Sequence, residues 1–170
     1  MAEERSNIKK NKYAIAFFIT WMLFIGVDFL FHASIFATLW KENIAGIKSL
    51  DNLAILIPAG YTSFLLFTLL IGYVYIRIFP VKPTLKEAFK FAIIFGALFS
   101  LSNLLGQFSY VAIPLKHLLF FNFVYFIEIL VVTLSLQFTL FTSKLKKVVW
   151  VSFLMFFILI ITGVLLQNVL

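Results

Sequence analysis

Five long apolar runs decide what this chain can become, because each meets or exceeds the ~20 residues that a helix needs to cross a bilayer. They fall at about Tyr13–Trp40, Asn52–Phe79, Leu85–Gln107, Leu115–Ser143 and Val148–Leu170. In hydrocarbon every backbone N–H and C=O must be paired within its own segment, so runs of this length form helices. The expected fold is an all-α integral membrane bundle of five transmembrane helices. Residues 1–12 form a basic cytoplasmic tail and 13–170 a single transmembrane domain, the connections being too short for a soluble one. Of the 170 residues, 63% are hydrophobic and 12% charged, too few charges to keep so much apolar surface in water.

Local signals place several boundaries. Pro80-Val81-Lys82-Pro83 ends the second run, and Thr84 with Glu87 three residues later forms a capping box that starts the third at Leu85. Pro58 predicts a kink or a late start in the second helix. Phe108–Pro114 reads as a short turn and Lys144–Lys147 as a basic one. The polar segment before Tyr13 is followed by an apolar run longer than the ~7–15 residues of a signal-peptide core, so the first helix is expected to be retained.

Orientation follows from Lys and Arg in the short connections. Arg5, Lys9, Lys10 and Lys12, then Arg77, Lys82, Lys86 and Lys90, then Lys144, Lys146 and Lys147 put eleven on one side. Lys41, Lys48 and Lys116 put three on the other. This alternation requires an odd number of spans, with the N-terminus inside and the C-terminus outside. The net charge of +7 is then mostly a cytoplasmic rim facing anionic lipid headgroups. A folded basic surface that could hold nucleic acid is not expected.

With no Cys, the chain has no disulfide, thiolate-bound metal, iron–sulfur cluster or c-type haem. No serine elbow, HExxH or glycine-rich phosphate loop occurs, so no enzymatic activity and no cofactor are expected. The polar residues inside the spans carry what functional signal there is. Asp28 and Glu128 each cost roughly 2.5–3.5 kcal/mol on the insertion scale for an acid at a helix centre. Asp28 lies twelve residues before Trp40 and Glu128 thirteen after Leu115, so the two share a level if their helices are neighbours. Trp21, Asp28 and His32 form one stripe, and Asn122, Tyr125 and Glu128 another. Gly96, Ser100, Asn103 and Gln107 make a small, polar stripe suited to close helix packing. The intramembrane network is therefore expected to comprise Asp28, His32, Glu128, Tyr125, Asn122 and Asn103. It serves either as hydrogen-bonded glue or as a proton or ion path. Asp28, His32 and Glu128 as metal ligands, without a motif, are a weaker alternative, and no metal is expected. The fifth helix, polar only at Ser152 and Thr162 before its end, is expected at the periphery.

The stretch Val27-Asp28-Phe29-Leu30-Phe31-His32, with Trp40, Gly96, Tyr110, Pro114 and Glu128, resembles small uncharacterised bacterial membrane proteins with D-x-x-x-H in the first helix. The resemblance implies a helical bundle in the bacterial cytoplasmic membrane and no particular activity. Two functions fit: a non-catalytic accessory or scaffold subunit with other membrane subunits as partners, or a small proton- or ion-coupled transporter using Asp28, His32 and Glu128.

The charge asymmetry yields a direct test. In this Cys-free chain, Cys at Glu42 should react with an impermeant thiol reagent in intact cells, and Cys at Ser6 should not. Labelling at 6 or protection at 42 contradicts the topology.

Overall fold

The computed structural model describes residues 2–41 and 50–169, with side chains from 11 to 39 and 55 to 169. Lys48, position 42 and the Trp40 side chain lie outside the described residues. The chain forms α1 (Ala2–Leu30), a π-helical turn (Phe31–Ile35), α2 (Ala37–Lys41), α3 (Leu50–Ile78), α4 (Leu85–Tyr110), α5 (Leu115–Leu140) and α6 (Leu145–Val169). No strand occurs among the described residues. Five helical segments are long and apolar enough to span a membrane: Asn11–Ile35, Ile55–Ile78, Leu85–Tyr110, Leu115–Leu140 and Leu145–Val169. The protein is a multi-pass membrane helical bundle.

Several boundaries differ from the sequence reading. Helix α1 starts at Ala2, so the tail expected at 1–12 continues the first span. It contains no Gly or Pro, and Glu3 and Glu4 suit a helix N-terminus. Pro58 does not delay the second helix, since α3 runs from Leu50 to Ile78 with Pro58 inside it. The Thr62 hydroxyl donates to the Pro58 carbonyl at 2.8 Å, a bond within the helix. Helix α4 runs three residues past Gln107 to Tyr110, the Val111 N–H still reaching the Gln107 carbonyl at 2.8 Å. Helix α5 stops at Leu140 rather than Ser143, and α6 begins at Leu145 rather than Val148. The capping box is formed: Glu87 N–H donates to Thr84 Oγ1 at 3.2 Å, and Thr84 N–H donates to Glu87 at 2.7 Å.

Helices α1 and α5 are the centre of the bundle and pack on each other. Helix α4 lies along α5, α6 lies along α1 and the π turn, and α3 rests against both α1 and α5. Phe24 of α1, Ile71 and Tyr75 of α3, Ala88 of α4 and Ile129, Val132 and Leu136 of α5 form one buried cluster. Phenylalanines fill the spaces around it, as where Phe24 stacks on Phe64 at 4.4 Å. Lipid tails are as apolar as these side chains, so contact density and small residues decide which helices meet. A Cβ on Gly96 would come to 3.1 Å from Phe126, and one on Gly163 to 2.8 Å from Phe29. Those two glycines set the α4–α5 and α1–α6 approaches.

Three connections gather at one end of the bundle. Lys12 donates to the Thr142 carbonyl at 2.9 Å, and Gln137 near the end of α5 donates to the Pro83 carbonyl at 2.9 Å. The N-terminal part of α1, the 79–84 connection and the 141–144 connection therefore share the basic face that the charge pattern assigns to the cytoplasm.

Valine at Gly96 or Gly163 should destabilise the bundle by about 1–3 kcal/mol, the usual cost of overpacking. Gly60, where an added Cβ meets nothing within 4 Å, is the control. Thermal unfolding in detergent should fall for G96V and G163V and stay unchanged for G60A.

Candidate functional site

Several intramembrane polar groups find partners across helix interfaces, whereas Thr68, Ser100 and Thr133 are buried without a hydrogen bond to a described residue. Near the cytoplasmic face the Tyr75 hydroxyl donates to Gln137 Oε1 at 2.7 Å. Deeper, Thr20 and Ser135 share a hydrogen bond at 2.9 Å, and Trp21 Nε1 donates to the Tyr61 carbonyl at 2.8 Å. Toward the other face Asn103 Nδ2 donates to Asn122 Oδ1 at 2.9 Å. Asn122 Nδ2 in turn donates to Gln107 Oε1 at 3.3 Å and to its own helix at the Leu118 carbonyl, 2.8 Å. Each interhelical bond of this kind is worth about 0.6 kcal/mol in a membrane. They tie α3 to α1 and α5, α1 to α5, and α4 to α5.

The two acids are different. Glu128 sits midway along α5, fully buried, and its carboxyl oxygens meet the Asp28 carboxyl but take no hydrogen bond from any other described residue. Asp28 of α1 approaches it across the α1–α5 interface, and His32 follows four residues later in the π-helical turn. One ligand atom each from Asp28, His32 and Glu128 lies within 4.8 Å of the others. His32 Nε2 stands 3.6 Å from Asp28 Oδ1, and these two side chains are 22% and 21% exposed. The cluster thus has a sealed floor at Glu128 and a partly open mouth at Asp28 and His32. Lys41 and Lys116, thirteen and twelve residues from Asp28 and Glu128 along the chain, are the nearest basic residues in sequence.

Backbone geometry contributes to the site. His32 belongs to the π-helical turn, where Phe36 N–H reaches back five residues to the Phe31 carbonyl at 2.8 Å. Such turns are rare and concentrate where a helix carries a functional side chain. The turn is pressed on by α6, whose Gly163 lies against Phe29 and Ser34. The ring of Phe121 on α5 lies 6.0 Å from His32 and 6.4 Å from the buried His117.

Of the six network residues expected from sequence, Asp28, His32 and Glu128 come together. Asn103 and Asn122 form a separate pair nearer the non-cytoplasmic end. Tyr125 turns toward α4, where its ring meets Phe99 edge-on at 6.4 Å. Sequence reasoning passed over Gln137 and Tyr75, although a Gln inside a 26-residue apolar helix is itself a signal. The π turn had no such signal, since Val27–Lys41 contains neither Gly nor Pro.

No family model matches the chain, and neither a curated protein nor a solved structure matches it.

Proposed function

We propose that this protein is a small proton- or ion-coupled membrane transporter whose working centre is Asp28, His32 and Glu128. One observation carries the reading: the fully buried Glu128 carboxyl, given no donor by any described residue outside the acid pair, meets a second carboxyl across the α1–α5 interface. Glue does not explain it. A structural polar residue contributes about 0.6 kcal/mol through its bond, against roughly 2.5–3.5 kcal/mol to place an acid at a helix centre. Two carboxylates at this separation also repel each other, so the pair needs a cation between them, in the simplest case a shared proton. Partial exposure of Asp28 and His32 gives that cation a way in and out. The function involves no covalent chemistry and therefore no enzymatic turnover. The likeness of Val27–His32 to small bacterial membrane proteins supports placement in a bacterial cytoplasmic membrane, with the basic rim on anionic lipid.

A second reading, an accessory subunit of a larger membrane assembly, has its own support. Every residue from Ile55 to Ala59 of α3 is exposed, so this part of the helix is uncovered by the described residues. Beside the same half of the bundle, Phe95, Leu98, Phe99, Ser102, Asn103, Gly106 and Tyr110 of α4 line a groove of about 570 Å³. A partner helix would find two apolar faces and a polar notch there.

Reconstitution into proteoliposomes with an internal pH indicator separates the readings. A potential-driven proton flux is expected from the wild type, lost with E128Q and reduced at least tenfold with D28N. A wild type as impermeable as empty vesicles, or one whose flux survives E128Q, overturns the transport reading. Native mass spectrometry showing a stoichiometric partner subunit would then favour the accessory one.

A further inference from the structure

We infer that Asp28, His32 and Glu128 form a binding site for a divalent transition-metal ion. The inference rests on the reading of this cluster as a cation centre and names the cation class. The ligand set argues it. Two carboxylates leave a formal charge of −2 in a low-dielectric interior, which one divalent ion neutralises and a monovalent ion does not. The imidazole then selects among divalent ions, because nitrogen ligands suit Zn²⁺, Co²⁺, Fe²⁺ or Mn²⁺ better than the all-oxygen preference of Ca²⁺ and Mg²⁺. The absence of Cys removes the thiolate that would favour a soft, permanently held ion.

Geometry agrees with the chemistry. Ligand atoms around a four-coordinate ion at ~2.0–2.2 Å stand about 3.4 Å apart. The His32–Asp28 pair is already at 3.6 Å, and the full set lies within 4.8 Å. Rotation of the Glu128 and Asp28 carboxyls by about an ångström would close the shell around an ion of that size. Glu128 supplies the independent pointer, being a fully buried carboxyl that faces the cluster and takes no hydrogen bond from any described residue outside it. Asp28 at the end of α1 and His32 in the π-helical turn that continues it lie four residues apart and face each other at 3.6 Å, close enough to grip one ion.

Three protein ligands leave at least one coordination position open, the arrangement of a labile site rather than a structural one. The partly exposed side of Asp28 and His32 is where that position faces. An ion bound there exchanges with its surroundings, and each binding event displaces whatever proton the carboxyls held. Metal and proton therefore compete for the same two carboxyls, which couples their movements through this centre.

Co²⁺ is a suitable probe, because its visible spectrum reports nitrogen and oxygen ligation and coordination number. The full chain, purified in detergent and stripped with a chelator, should bind one equivalent of Co²⁺ with a ligand-field band. Zn²⁺ should displace it, and millimolar Mg²⁺ should not. Replacing His32 by Gln or Glu128 by Gln should weaken binding by about a hundredfold or more, beyond the ~10–100-fold typical of losing an outer-shell partner. Should H32Q fail to fold, E128D, which keeps a carboxylate but shortens its reach, should retain a weaker, spectrally altered site. Absence of saturable Co²⁺ binding, or binding unaffected by E128Q and H32Q, overturns the metal assignment. Proton flux measured on the same preparation keeps the two claims apart: flux without metal binding removes only the metal, and loss of both removes the cation centre.

Discussion

Two carboxyl groups facing each other inside a low-dielectric bundle are the constraint around which the rest of this structure is arranged. An acid at the level of Glu128 is tolerated only away from lipid, so α5 must be covered on the side that carries it. It is covered by α1, whose own acid, Asp28, meets it there. The α1–α5 contact thereby becomes the centre of the fold, and α4, α3 and α6 are disposed around it. Polar residues elsewhere are consistent with that role. Thr20 with Ser135 ties α1 to α5, and Asn103 with Asn122 ties α4 to α5.

The surrounding bonds are individually weak and the acid pair is expensive, which separates the two kinds of polar residue by magnitude. Tyr75, Gln137, Asn103 and Asn122 each gain a partner and hold helices in register. Glu128 meets only another acid, Asp28, so its retention in the middle of α5 calls for something other than packing. A cation supplied from outside the chain meets that need. On this reading the π turn, by carrying His32 just beyond Asp28, completes a centre that α1 and α5 begin.

Much of this was legible in sequence. Five spans, the capping box at Thr84 and Glu87, and the polar stripe of α4 all follow from hydropathy and local chemistry. The stripe does face α5, with Gly96 against Phe126 and Asn103 bonded to Asn122. Equal depth of Asp28 and Glu128 was computable from residue counts, but their meeting was not, since helix adjacency depends on packing contacts spread over the whole bundle. Helix ends were misplaced by three residues or so at Gln107, Ser143 and Val148, because polar residues such as Ser109 and Lys146 continue a helix as readily as they end one. Pro58 did not start the second helix late because a membrane helix tolerates a proline near its first turns. The π turn was invisible, as no residue in it breaks a helix; in the fold it lies against α6.

Infrared spectroscopy of the acid pair reaches the central claim most directly. If Asp28 and Glu128 hold a cation between them, chelator-treated protein at neutral pH will show a protonated carboxyl band that shifts in D₂O. The band will vanish with E128Q, and adding Zn²⁺ to the wild type will replace it with carboxylate bands. A chelator-treated wild type without that band, and unchanged by Zn²⁺, would contradict the account.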